Sequence, residues 1–184
     1  MSRRFIYHFS GFTFVLLVIL GDSSFLRLRE ASCDTIPGEP CYLPFDDENM
    51  IEQCWLCICK ASSSCNTNSG CTKPYFGAYS CGLLSISWLY WVDAGGPRLD
   101  KDKDLPSEIA FENCVKEKFC AVQTVCLYVT KFRADCDGNT GFTCEDVIRI
   151  HIMGGYACND KNVIKDQRYK AYTTCMKSNL FKLI

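Results

Sequence analysis

Cysteine is the residue type that most constrains the chemistry of this 184-residue chain. It occurs 15 times, and Cys54, Cys57 and Cys59 fall within six residues, with Cys65 and Cys71 close behind. Such a cluster can bind zinc or form disulfides. A tetrahedral zinc site with two Cys-x-x-Cys pairs would be a specific pattern, but one such pair occurs here and the other cysteines are irregularly spaced. The pattern therefore favours disulfides in an oxidising compartment, and we expect no metal and no cofactor.

A second metal pattern lies in the last third of the chain. Asp135, Asp137, Asn139 and Asp146 occupy positions 1, 3, 5 and 12 of a calcium-loop template, but Thr140 stands at position 6, where the template requires glycine. A disulfide-closed turn rich in Asp, Asn and Gly is the better interpretation.

The histidines limit nucleophilic catalysis. His8 lies in a segment that we expect to be removed, so His151 is the one histidine of the mature chain. It could orient a serine, but no G-x-S-x-G motif accompanies it. We expect a histidine on a helix surface or lining a groove.

The start of the chain is typical of a secretory signal peptide. Arg3 and Arg4 precede an apolar run, Phe12–Leu20, and small residues follow between 21 and 24. The apolar run is too short to span a bilayer. We therefore predict a signal peptide over 1–24 and a secreted, extracellular protein without stable membrane insertion after cleavage.

The rest of the chain predicts the elements that must position any site. Residues 25–46 contain three prolines and no periodicity, which indicates an extended leader before a domain at 47–184. Apolar spacing predicts helices over 48–59, 119–132, 146–153 and 164–178. A strongly apolar and aromatic run predicts a buried helix over 83–92. We expect turns and a small sheet over 62–80 and a charged loop over 98–108. The net charge of −1 argues against nucleic-acid binding, which needs a positive field.

Several short motifs resemble the invertebrate-type lysozyme (destabilase) family. They occur in family order over about residues 48–178: Cys54-Trp-Leu-Cys57-Ile-Cys59-Lys-Ala-Ser-Ser-Ser-Cys65, Cys81-Gly82, Tyr90-Trp91-Val92-Asp93, Phe111-Glu-Asn-Cys114, Arg149-Ile-His151 and Gly154-Gly155-Tyr156. The resemblance implies an α+β fold: a small lysozyme-like domain, mostly helical, with a short β-sheet and many disulfides. It also implies secretion and hydrolysis of the β-1,4 bond of bacterial peptidoglycan, in defence or digestion. Some members are credited with isopeptidase activity.

The resemblance also implies a framework of twelve cysteines whose pairing stays open. These are Cys54, Cys57, Cys59, Cys65, Cys71, Cys81, Cys114, Cys120, Cys136, Cys144, Cys158 and Cys175. Cys33 and Cys41 form a plausible extra pair. Cys126 is then the odd cysteine, and its place among the apolar positions of a helix predicts a buried free thiol.

The family's two catalytic carboxylates are missing at the matching positions. Ser62 stands where the family has its acid, and Pro74 is nearest to the second carboxylate. Independently of any alignment, no Asp or Glu occurs between Gln53 and Val92. Glycoside hydrolysis needs a general acid and a second carboxylate. Glu52 and Asp93 bracket the gap as candidate substitutes, although helix-capping and structural roles explain them better.

Three functions remain open at this point. The first is a lysozyme homologue with weak or no muramidase activity that binds peptidoglycan or a related amino-sugar polymer. Its candidate groove residues are Ser85, Tyr90, Trp91 and His151. The second is an isopeptidase acting on γ-glutamyl-lysine crosslinks, with His151 as base and Ser62, Ser80 or Ser85 as nucleophile. The third is a non-catalytic binding or inhibitory protein. For each we expect a monomer.

Overall fold

The computed structural model describes residues 48–72 and 79–180 of the chain. In these residues it has six α-helices: α1 Glu48–Ser63, α2 Trp88–Asp93, α3 Ser107–Lys116, α4 Lys118–Lys131, α5 Cys144–Met153 and α6 Gln167–Leu180. Three two-residue strands form an antiparallel sheet in the order β1 (Cys71–Thr72), β2 (Ser80–Cys81), β3 (Ile86–Ser87). The α+β class, mostly helical with a short sheet, is confirmed. The predicted signal peptide, the leader, Cys33, Cys41 and Pro74 lie outside the described residues.

The core is built from the apolar faces of the helices. In α4, Ala121, Val125 and Val129 recur every four residues and are fully buried, because positions four apart share one face of a helix. Ile58 of α1 and Ile148 of α5 belong to the same cluster. This packing brings the end of α1 next to α5. Among the residues that the structure describes, no helix has the length and apolar character needed to cross a bilayer.

Six disulfides join the twelve framework cysteines. The pairs are Cys54–Cys144, Cys57–Cys175, Cys59–Cys65, Cys71–Cys81, Cys114–Cys120 and Cys136–Cys158. Cys126 is also disulfide-bonded and fully buried. The prediction of a free thiol at Cys126 is therefore wrong, because burial in a helix face is equally compatible with a covalent partner.

The predicted helix over 83–92 is wrong in its first half. Ser85 has a positive φ of 52°, and Ile86 and Ser87 form strand β3. The helix begins only at Trp88, where the Ser87 hydroxyl accepts a hydrogen bond from the Tyr90 backbone N–H. A serine at this position caps a helix and so begins it. The apolar run over 83–92 is continuous, so its pattern did not indicate where the strand ends and the helix begins.

The charged segment before α3 also differs from the prediction of a solvated loop. Asp100–Asp102 forms a short 3-10 helix, and the Asp102 side chain is buried. Helix α3 follows at Ser107 and was not predicted at all. Its apolar face, which includes Ala110, Phe111 and Cys114, is short and begins directly after the charged run.

Candidate functional site

Ser62, the predicted replacement of a catalytic acid, lies in the last turn of α1. Its side chain is half-buried, and its hydroxyl donates a hydrogen bond to the Ile58 carbonyl at 2.9 Å. The same oxygen lies 3.4 Å from Nε2 of His151. The structure therefore brings the end of α1 and the middle of α5 together at this serine.

Two other serines hold the end of α1 against the turn that precedes β3. The Ser63 hydroxyl donates to the Leu83 carbonyl at 2.7 Å, and the Ser85 hydroxyl donates to the Ser62 carbonyl at 2.9 Å. The bond from Ser85 satisfies a carbonyl in the last turn of α1, where no intrahelical partner exists, and the bond from Ser63 satisfies a carbonyl of the turn. They fix the backbone at Ser62 from both sides.

His151 is buried where α5, α2 and this turn meet. Its Nε2 lies 3.0 Å from the Leu84 carbonyl, and its Nδ1 lies 3.2 Å from the Tyr90 hydroxyl. Burial, together with a smaller contribution from the positive charge of Arg168, lowers the pKa of His151 to about 4. The ring is therefore neutral at pH 7. Since a carbonyl only accepts, Nε2 carries the proton, and Nδ1 accepts from Tyr90.

This tautomer disfavours an activated serine. The Ser62 proton is donated to Ile58, so the Ser62 oxygen can only accept from Nε2. The lone pair of the imidazole points at Tyr90 instead. A nucleophile needs a base that accepts its proton, and His151 does not offer one to Ser62. Ser85 also donates its proton to a carbonyl.

The aromatic residues of α2 divide between the site and the core. Tyr90 stacks on Tyr128 with 3.7 Å between ring centroids and contacts His151 edge-on. Trp91 is 3% exposed and packs against Trp88 and Phe111. Tyr90 is thus at the site, whereas Trp91 is in the core and does not line an open groove.

The two candidate substitute carboxylates lie away from Ser62. Glu52 is exposed in the same helix as Ser62. The ten residues that separate Glu52 from Ser62 correspond to about 15 Å along the helix axis. Asp93 is exposed at the end of α2, where its carboxylate pairs with Lys131 at 3.7 Å. The Lys131 ammonium also donates to the Asp93 carbonyl. Neither carboxylate has a contact with Ser62 or His151 in the described part of the chain.

The acidic turn brings three carboxylates together. Oxygens of Asp135, Asp137 and Asp146 lie within 4.8 Å of one another. The buried Asp146 accepts hydrogen bonds from the backbone N–H groups of Cys136 and Thr143, at 2.7 Å each, and closes the capping box that begins α5. These bonds give Asp146 a structural role at the start of α5. The turn is not closed by its own two cysteines as predicted, because Cys136 pairs with Cys158 and Cys144 pairs with Cys54.

The structure thus gathers four of the sequence-predicted residues, Ser62, Ser85, Tyr90 and His151, into one hydrogen-bonded cluster, which we call the Ser62–His151 cluster. Sequence reasoning missed Ser63 and the carbonyls of Leu83 and Leu84. Every residue has a backbone carbonyl, so the residue types do not indicate which carbonyls accept a hydrogen bond. Nothing in the sequence could therefore have identified these two.

The fold has counterparts among known proteins. The Destabilase family model matches residues 51–177. The chain is 30% identical over 111 residues to Invertebrate-type lysozyme 3 of Caenorhabditis elegans, covering 60% of this chain and 77% of that protein. It is 29% identical over 145 residues to Lysozyme 1 of Crassostrea virginica, covering 74% and 70% respectively.

The solved structures agree with these matches. The crystal structure of Aeromonas hydrophila PliI in complex with Meretrix lusoria lysozyme is similar to this chain, with a TM-score of 0.51 and 28% identity. The match covers 66% of this chain and 88% of that one. Inhibitor-bound lysozyme from Meretrix lusoria gives a TM-score of 0.50 at 27% identity.

Proposed function

From the premise that the chain belongs to the destabilase family of invertebrate-type lysozymes, we propose that it binds amino-sugar polymers and hydrolyses them weakly or not at all. The ligand is peptidoglycan or a related polymer. The observation that carries the proposal is the chemistry at Ser62. This residue stands at the family acid position, and no Asp or Glu occurs between Gln53 and Val92.

The neighbours of Ser62 do not replace the missing acid. A serine hydroxyl does not donate its proton to a leaving oxygen near neutral pH. His151 is neutral at that pH, with its one ring proton directed at Leu84. Loss of general acid catalysis alone lowers a rate by about 10²–10⁴. Loss of the second carboxylate, at Pro74, also removes electrostatic stabilisation of the transition state.

Sugar binding needs polar groups on a prepared surface, and the cluster supplies these. Ser62 and Ser85 are half-buried, and their hydroxyls are held in place by hydrogen bonds, while the buried hydroxyl of Tyr90 holds His151 next to them. The net charge of −1 gives no general attraction to anionic walls. Retention on a polymer should therefore depend on sugar contacts and should resist salt.

The organisation of the chain completes the proposal. Residues 1–24 act as a signal peptide, 25–46 form a leader, and 47–184 form the lysozyme-like domain. The protein acts outside the cell as a monomer, in defence or digestion.

Co-sedimentation with insoluble peptidoglycan and chitin tests the binding. We expect the oxidised protein to be retained at high salt, and Ser62→Leu to abolish retention by filling the cluster. Ser178→Leu is the matched control, because Ser178 also lies at a helix end and its hydroxyl bonds the preceding turn.

Three results would contradict the proposal. The first is no retention of the natural protein, and the second is equal loss of retention by the Ser62→Leu and Ser178→Leu variants. The third is release of lysine from a γ-glutamyl-lysine substrate that disappears with His151→Ala, which would favour an isopeptidase.

A further inference from the structure

Tyr156 follows His151 by five residues, just after the end of α5, and it is 93% exposed. We propose that its ring stacks against a sugar ring of a bound oligosaccharide, at a second contact point that we call the Tyr156 platform. The inference rests on the proposed function, because it extends the binding of an amino-sugar polymer from the cluster to a neighbouring surface.

The exposure of Tyr156 is unusual for its size. Of the large apolar side chains that the structure describes as exposed, Phe119 at 77% and Leu89 at 70% come next. Leaving an aromatic ring in water is unfavourable, and aromatic rings with a polar tip are common at binding surfaces. A ring presented in this way is therefore a candidate contact.

The segment that carries Tyr156 is held rigidly at its start. Gly154 has a positive φ of 83°, and a Cβ at Gly155 would lie 2.2 Å from Cγ of Phe132. Only glycine permits this approach of backbone to ring. The Gly155 N–H also donates to the Tyr128 hydroxyl at 3.3 Å.

The other end of the segment is fixed covalently. Cys158, two residues after Tyr156, forms a disulfide with Cys136. The Tyr156 ring itself contacts Phe132 at 5.2 Å and a near-perpendicular angle of 73°. The backbone on both sides of Tyr156 is thus constrained, which reduces the conformational entropy that this segment loses on binding.

A continuous series of contacts joins the Tyr156 platform to the cluster. Phe132 packs on Tyr128 at 4.6 Å, and Tyr128 stacks on Tyr90 at 3.7 Å. The Tyr90 hydroxyl then donates to His151. The platform and the cluster therefore rest on one series of packed aromatic rings, along which the proposed oligosaccharide would extend.

The surroundings of the platform favour a sugar over a protein partner. Lys131 lies over the Phe132 ring at 5.1 Å and pairs with the half-exposed Asp93. These groups offer a donor and an acceptor to sugar hydroxyls beside an apolar ring face. A protein interface normally has a larger apolar centre depleted of charge.

Calorimetric titration with a trimer and a hexamer of N-acetylglucosamine tests the proposal on the full oxidised protein. We expect Tyr156→Ala to lower the affinity for the hexamer roughly threefold to tenfold, as for loss of one aromatic pair. The affinity for the trimer should stay unchanged. Tyr156→Phe should restore the hexamer affinity. Phe119→Ala, which removes an exposed aromatic ring elsewhere, is the matched control and should change neither.

The outcomes separate the platform from the proposed function. If the natural protein binds neither oligomer, both fail. If it binds the hexamer and Tyr156→Ala binds it equally well, or no worse than Phe119→Ala, the platform is excluded while sugar binding stands. An equal loss for trimer and hexamer would show that Tyr156 is not a second contact point.

Discussion

His151 is the residue on which the contacts of the site converge. It meets the Leu84 carbonyl, the Tyr90 hydroxyl and the Ser62 hydroxyl, which come from three parts of the fold. Its ring is neutral because burial penalises the charged form. The site therefore has a polar character without a charged group at its centre.

The protonation of His151 makes folding stability depend on pH. Its pKa is about 4 in the folded protein and about 6.5 when unfolded. Between these values the unfolded chain binds more protons, so the free energy of unfolding falls as the pH falls. The full contribution is present above pH 6.5, and about 3 kcal/mol is lost by pH 4.

Denaturant unfolding of the natural protein and His151→Gln across this range measures the effect. Glutamine offers a donor and an acceptor but does not titrate, so the difference between the proteins isolates the histidine. Proton resonances of the ring should report a pKa near 4. A ring pKa near 6.5, or parallel pH profiles for the two proteins, would contradict the account.

The sequence could predict some of these residues but not their arrangement. Family motifs and the carboxylate gap identified Ser62, and aromatic and histidine content identified Tyr90 and His151. The burial of His151 was not predicted, because its partners lie 61 and 67 residues away along the chain. Counting cysteines likewise did not reveal that Cys126 is disulfide-bonded.

At the scale of elements, the end of β2 packs directly on the backbone of α3. Gly82 has a φ of +74°, and a Cβ there would lie 1.8 Å from the Val115 carbonyl oxygen. This approach keeps the sheet beside α3, next to the turn that contacts Ser62 and His151.

Gly82→Ala should lower the free energy of unfolding by more than about 3 kcal/mol, because strain and a backbone clash combine. Gly95→Ala is the control, since its φ is +90° but no atom lies within 4 Å of the new Cβ. Strain alone should lower stability there by about 1–2 kcal/mol. Equal losses in chemical denaturation would show that the contact with Val115 is unimportant.

Elements with regular apolar spacing were predictable. The helices predicted over 48–59, 119–132 and 146–153 correspond to α1, α4 and α5, with boundaries that differ by a few residues. The run 83–92 was not resolved correctly, because a continuous apolar run lacks the period that separates strand from helix. Helix α3 was missed because its apolar face spans few turns.

At the scale of the whole molecule, disulfides join helices that are distant in sequence. Cys57–Cys175 links α1 to α6 across 118 residues, whereas Cys114–Cys120 spans 6. The longer loop removes more conformational freedom from the unfolded chain. The family framework predicted the participating cysteines, but the pairs themselves required the three-dimensional arrangement.

Replacing both cysteines of each pair by alanine tests this difference. Because Cys54–Cys144 already shortens the loop that Cys57–Cys175 closes, loop-closure entropy predicts a loss of about 4 kcal/mol for Cys57–Cys175 and about 2 kcal/mol for Cys114–Cys120. Equilibrium unfolding of the two variants measures the losses. A larger loss for the shorter loop would mean that local packing, rather than chain entropy, dominates.

Weak or absent hydrolysis is the central claim for the molecule as a whole, and release of reducing ends from peptidoglycan tests it most directly. The oxidised protein should release reducing ends at least about 10²-fold more slowly than an active family member, down to the rate of the buffer alone. Ser62→Glu/Pro74→Asp should gain activity if the rest of the site is retained. Turnover by the natural protein at ordinary lysozyme rates, lost with Glu52→Gln or Asp93→Asn, would contradict the account and place the catalytic carboxylate outside the cluster.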